Sequence, residues 1–300
     1  MAVWLRRAAL LLAARPGFGA SPPIVFIHVG KCGGSTLERW LHARGVKHTQ
    51  IHTESRNLPS SGNVDARLRY MLMLRDPVQR FQSAYEYARL VVQVNTTGMG
   101  AGRMHRDVHS GRSYVCALGP GCPSPGHLTK KVLSGKNYTY SNRLDELLLH
   151  FHDANELGEA LSCRTAATPG QQAECELARQ LVSSTESHIN KGAGYYLGNG
   201  SFLRSLPPGN VFVGTLEHID EDLVLLARWL GLPEGKNSTP SAVFRSTGAS
   251  ATPELSARAR HNIRCFYEFN AVSPDYAAMR ALVRHGLLNA SRYDLSRPVC

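Results

Sequence analysis

Two segments of this chain repeat one pattern, in which a short apolar run ends abruptly at polar residues that open a helical stretch. The first is Ile24-Val-Phe-Ile-His-Val-Gly-Lys-Cys-Gly-Gly-Ser-Thr36 and the second is Tyr70-Met-Leu-Met-Leu-Arg-Asp-Pro-Val-Gln-Arg-Phe-Gln-Ser-Ala-Tyr85. Apolar runs without alternation are those of strands covered on both faces. Strand, loop and helix in series, with Val211–Leu216 as a third clear strand, predict an α/β fold. The expected architecture is a three-layer one, a mostly parallel central sheet flanked by helices, with a ligand at the C-terminal ends of the strands. A 43% hydrophobic content over 300 residues suffices for one large core, read as a single unit from residue 23 to 300.

The loop from Gly30 to Thr36 reads as an anion cradle. Gly33 and Gly34 leave the backbone N–H groups open to a phosphate, Lys31 adds a point charge, and Ser35 and Thr36 add hydroxyl donors. Ser35 is the expected helix cap, with Glu38 as its capping-box partner. A nucleotide-triphosphatase loop is excluded in its strict form, because Val25 stands where that motif needs its first glycine. A kinase on the same architecture therefore ranks below the reading that follows, and a catalytically silent nucleotide- or glycan-binding protein ranks third.

The two segments together resemble the sulfotransferases that use 3'-phosphoadenosine 5'-phosphosulfate, in their carbohydrate and membrane-associated branch. That resemblance implies a P-loop-like sulfotransferase fold. It implies that Lys31, Cys32, Gly33, Gly34, Ser35 and Thr36 hold the 5'-phosphosulfate, with Lys31 stabilising the leaving oxygen, and that Arg75 and Ser83 hold the 3'-phosphate, with Arg80 a lesser candidate weighed against a surface salt bridge. Later stretches at 151–161, 188–197 and 211–223, and Asp275-Tyr276, extend the likeness from Pro23 to Asn289. Two positions depart from the pattern: Gly30 stands where the family often has Pro, and Cys32 where it often has Thr.

Transfer to a hydroxyl acceptor needs a general base, and the resemblance places it in the segment after the first loop helix. That segment offers His48, His52 and Glu54. His52 is favoured because chains of the resembled family carry an Ile/Val-His step at this point, and an imidazole, which ordinarily titrates near neutrality, suits base catalysis. In an extended chain His48 and His52 share a face. His28 is expected to pack or orient the loop, and Glu217 to be structural. His188, Lys191, Tyr195 and Tyr196 are candidates to line an acceptor pocket, and aromatic packing explains the two tyrosines equally well.

The formal charge of +11, from 34 basic and 23 acidic residues, favours anionic partners. No zinc-finger spacing, basic helix run or aromatic RNA-binding motif points to nucleic acid. The implied acceptor is a hydroxyl group, on a glycan in the resembled branch. No CxxC pair occurs, so no zinc site or other metal is expected. The N-terminus, Arg-rich and without acids before Glu38, reads as a signal peptide, a transit peptide or the remnant of a longer anchor, and gives a route to membrane association. Sequons at Asn95, Asn137, Asn199, Asn237 and Asn289 exceed what composition yields by chance and favour the Golgi and secretory pathway. Cys116 with Cys122, and Cys163 with Cys175, could each close a short loop in an oxidising lumen. Residues 96–140 are rich in Gly, Pro and Ser and read as a loop-rich insertion.

Overall fold

The computed structural model describes residues 22–52, 67–94, 102–107, 112–117, 128–131, 137–140, 144–166, 168–184, 188–198, 206–233, 254–293, 295 and 300. Strand β1 (Ile24–Ile27) leads into helix α1 (Gly34–Ala43), then β2 (His48–Ile51) and β3 (Arg69–Leu74). Helix α2 (Pro77–Val91) follows, with the short strands β4 (Val92–Val94), β5 (Gly102–Asp107), β6 (Arg112–Ala117), β7 (Leu128–Lys131) and β8 (Asn137–Tyr140). Helices α3 (Leu144–His150), α4 (Ala154–Ala160), α5 (Pro169–Ser184) and α6 (Ala193–Leu197) precede β9 (Val211–Thr215). Helices α7 (Ile219–Leu230), α8 (Ala257–Phe269) and α9 (Asp275–Arg284) follow.

The central sheet is all-parallel, ordered β2-β1-β3-β9 and flanked by helices. Its middle strands are the two apolar runs, and every residue from Tyr70 to Leu74 of β3 is buried. The edge strand β2 carries the polar sequence His-Thr-Gln-Ile with a half-buried pattern, which is why hydrophobicity alone leaves it looking like a loop. The order decides where a ligand goes. β1 connects through α1 to β2 on one side, whereas β3 connects onward to β9 on the other. Right-handed crossovers carry these connections over opposite faces, so a crevice opens between the C-terminal ends of β1 and β3. The buried side chains form one continuous cluster running from Ile24 to Leu295.

Several local expectations change. Gly33 caps α1, in the left-handed region at φ 77°, and Ser35 lies inside the helix without a side-chain capping bond. The helix that begins as α3 is broken at the buried Phe151, whose carbonyl accepts from Tyr85 Oη. Asp153 restarts it as α4 by accepting from Glu156 N at 2.7 Å, while Glu156 Oε2 takes His152 N at 2.6 Å. Helix α5 begins at Pro169, which suits a first helical position, with Thr168 Oγ1 accepting from Gln171 N at 3.2 Å. The stretch 96–140, expected to be a loop-rich insertion, contains β5 and β6, which join β4 in an antiparallel sheet, and the pair β7-β8. Cys163 pairs with Cys175, and Cys265 with Cys300; Cys122 lies outside the described residues. Among the described residues no helix is long and apolar enough to cross a membrane.

Candidate functional site

The crevice between β1 and β3 receives both motif loops. The first hydrogen bond of α1 runs from Leu37 N to Gly33 O at 3.0 Å. The N–H groups of Gly34, Ser35 and Thr36 therefore lie in the first turn, where no intrahelical acceptor exists and the helix dipole favours an anion. Lys31 adopts φ 64°, a rare conformation for a residue with a side chain. Its Nζ lies 3.8 Å from the centre of the Tyr87 ring, and its carbonyl is 3.5 Å from Arg75 Nη1. Burial first, then the Arg75 charge, pull the Lys31 ammonium from 10.5 down to about 8.

Arg75 leaves the end of β3, and the turn beneath it is fixed from two sides. Asp76 Oδ1 caps α2 by accepting from Val78 N and Gln79 N, both at 3.0 Å, and burial raises the Asp76 carboxyl despite these bonds. Asp76 N in turn donates to Glu217 Oε1 at 2.9 Å, and Tyr293 Oη to Glu217 Oε2 at 2.7 Å. Glu217 is thus a brace between β9 and the Arg75 turn, as expected. Arg75 Nε is buried and has no hydrogen-bond partner among the described residues. A buried donor without a partner is uncommon enough to demand an explanation, and an anion in the crevice supplies one. Ser83 is half-buried on α2, one turn before Tyr87, so it shares the face that meets Lys31.

At the other lip of the crevice three polar side chains converge. His28 Nδ1 lies 3.0 Å from His52 Nε2, and Gln50 Nε2 lies 2.6 Å from the former and 2.9 Å from the latter. Which of these nitrogens carries the hydrogen between the two rings follows from the tautomers of His28 and His52. Position 34 has to be glycine for this arrangement, since a Cβ there would sit 1.8 Å from His28 Nε2. His28 therefore packs on the loop, as expected of it, and lies beside His52.

His188 closes the site from above. A Cβ on Gly30 would fall 2.1 Å from His188 Nδ1, so the ring fills the space that a proline at position 30 would need. The departure from the resembled pattern at Gly30 is matched by this histidine. Burial first, and then the cations of Lys31 and Arg80 with His28 and His52, push the His188 imidazole down to about 3, so it is neutral. Nothing in the linear sequence signals this contact.

Three expected site residues go elsewhere. Arg80 is 1% exposed and forms a buried ion pair with Asp275, Nη2 to Oδ2 at 3.2 Å; neither a surface salt bridge nor a ligand contact describes it. Burial opposes its charge, but Tyr267 and Asp275 outweigh that and raise its affinity for the proton. Its Nη1 also donates to the His188 carbonyl, so Arg80 holds the His188 segment in place. Cys32 points into the core, with Sγ 3.6 Å from Gly30 O, and burial pushes its thiol up to about 12; its side chain does not reach an anion. His48 begins β2 opposite Ile24, four residues and so roughly 13 Å along the strand from His52. Glu54 lies outside the described residues. Tyr196 is core, 2% exposed, whereas Tyr195 is half-buried with Lys191 Nζ 5.2 Å from its ring centre.

Comparison with protein-family models, with curated proteins and with solved structures finds no match to this chain.

Proposed function

We propose that this protein is a sulfotransferase that moves the sulfuryl group of 3'-phosphoadenosine 5'-phosphosulfate to a hydroxyl acceptor on a glycan, on a P-loop-like sulfotransferase fold. The observation that carries the reading is the meeting of Lys31 and Arg75 at the β1/β3 crevice beside the open first turn of α1, with Arg75 Nε lacking a partner. Two cations and a row of free N–H groups suit a ligand with phosphates at both ends.

In this reading the N–H groups of Gly34, Ser35 and Thr36 hold the 5' end, and Lys31 faces the oxygen that takes up charge as the sulfur–oxygen bond breaks. Arg75 and Ser83 take the 3'-phosphate. His52 accepts the acceptor's hydroxyl proton as the new sulfur–oxygen bond forms, and His28 with Gln50 sets its ring. Loose group transfer of this kind depends mostly on positioning and charge, and none of the assigned roles requires a metal. Cys163–Cys175 and Cys265–Cys300 pairing and the exposed sequon residue Asn289 support a secretory-pathway lumen.

The test is calorimetric titration with 3'-phosphoadenosine 5'-phosphate, beside ATP with Mg²⁺, of the wild type and of Lys31→Ala and Arg75→Ala. Binding of the bisphosphate that both variants abolish supports the reading, and a His52→Ala variant should then bind normally but transfer no sulfuryl group. Binding of ATP alone, or of neither nucleotide, overturns it.

A further inference from the structure

A second cluster lies at the opposite end of β2, away from the anion crevice. Helix α1 runs back along the sheet from the loop, carrying Glu38 and His42 one turn apart on the same face. The parallel register brings His48, the first residue of β2, up beside them. One donor atom from each of Glu38, His42 and His48 lies within 4.8 Å of the other two. Glu38 Oε1 and His42 Nε2 are 3.9 Å apart, and the imidazoles of His42 and His48 have centroids 5.4 Å apart.

The orientation of His48 is the second, independent observation. Its Nδ1 lies 3.1 Å from the Val46 carbonyl oxygen, which can only accept, so Nδ1 carries the hydrogen. The lone pair is then on Nε2. A ring N–H given to a backbone carbonyl is the arrangement that fixes the tautomer and aim of metal-binding histidines. Glu38, His42 and His48 also line an open cleft of about 470 Å³ together with Lys47 and Gln50.

We propose that Glu38, His42 and His48 form a binding site for a divalent transition-metal ion of the zinc class. Two imidazoles and one carboxylate make a borderline donor set that suits Zn²⁺ or Co²⁺ rather than Ca²⁺ or Mg²⁺, which take oxygen ligands. Three protein ligands leave the fourth tetrahedral position facing the cleft, where water, hydroxide or an anion near Lys47 completes the shell. Glu38 and His42 have side chains 37% and 69% exposed, so rotamer changes that close the donor spacing meet little packing resistance. The other histidine and cysteine group, His261 with Cys265 and Cys300, lacks free thiolates because its two cysteines are joined. Gln50 both lines the cleft and bonds His28 and His52, so the ion sits one side chain from the proposed base. The proposal stands independently of the sulfotransferase reading.

The experiment uses the full chain, free of affinity tags, titrated calorimetrically with ZnCl₂ and spectroscopically with CoCl₂. Wild type is compared with His48→Ala, with Glu38→Gln/His42→Ala and with His28→Gln/His52→Gln. The expected result is one equivalent of tightly bound metal with visible Co²⁺ bands of a tetrahedral site. Affinity should fall roughly 100-fold in the first two variants, going by the loss seen even for outer-shell partners, and stay unchanged in the third. Circular dichroism and bisphosphate binding should match wild type in Glu38→Gln/His42→Ala, whose replaced side chains are solvent-accessible. No binding by wild type, unchanged binding in the first two variants, or loss confined to His28→Gln/His52→Gln overturns the proposal.

Discussion

Removing the Asp275 carboxylate should come close to unfolding the protein. Arg80 and Asp275 are each 1% exposed. Besides the ion pair, Asp275 Oδ1 accepts from Gly194 N at 3.0 Å and from Ser273 Oγ at 2.5 Å. Arg80 stacks 4.8 Å from the centre of the Tyr267 ring and donates to the His188 carbonyl. Asp275→Ala leaves a guanidinium buried without its counter-charge and strands two donors, which is expected to cost about 3–5 kcal/mol. Against a typical total stability of about 5–15 kcal/mol, that is a large fraction. Urea denaturation followed by tryptophan fluorescence should show the midpoint falling sharply with little change in slope. Asp275→Asn keeps an acceptor for Gly194 and Ser273 while losing the charge, so it should cost less than the alanine variant. In a cycle with Arg80→Met, the pair should show coupling of about 2 kcal/mol. The reasoning fails if Asp275→Ala costs under about 1 kcal/mol, the scale of an ordinary surface change, or if the cycle is additive to within about 0.5 kcal/mol.

The lowered Lys31 proton affinity has a signed consequence. Free protein loses this proton as pH rises through about 8, whereas a bound anion restores it, so bisphosphate binding just above that pH should take up protons. Calorimetry in two buffers of different ionisation enthalpy should detect the uptake in wild type and none in Lys31→Met. The unfolded chain keeps the same proton up to its ordinary value of 10.5, so Lys31 should make stability rise with pH between those values, and Lys31→Met should flatten that rise. Under the proposed sulfuryl transfer, Gly34→Ala should cut turnover roughly 10²-fold, because the new Cβ displaces His28 from His52; an unaltered kcat would show that His28 does not orient His52. Replacing Cys265 and Cys300 by serine, which opens a loop of sequence separation 35, should cost about 3–4 kcal/mol, more than opening the separation of 12 between Cys163 and Cys175. Urea midpoints in the reverse order would count against the loop-entropy account.

The parts legible beforehand were local. The strands β3 and β9 and the start of α2 follow from apolar runs and a proline lying next to one another in the chain. Lys31 and Arg75 are legible because a cation just past the end of a buried strand has little structural reason to be there. Strand β2 was not readable, since an edge strand needs no apolar run on both faces, and the strands within 92–140 carry no hydrophobic period either. The burial of Arg80 is hidden in the sequence for a related reason. A charged residue on a helix reads as solvent-facing unless its partner is known, and Asp275 lies on a helix far along the chain.

The sequence by itself determined that strands feeding anion-ready loops exist, with the charges at their ends, because those features depend on neighbours within a few residues. The tertiary structure alone decided that the two loops meet at one crevice, that His52 pairs with His28 while His48 is left to Glu38 and His42, and that His188 presses on Gly30. Each of these depends on strand order and register, which are set by long-range packing of the whole core. A linear pattern carries the type of each group, whereas the distance between groups is a property of the folded sheet.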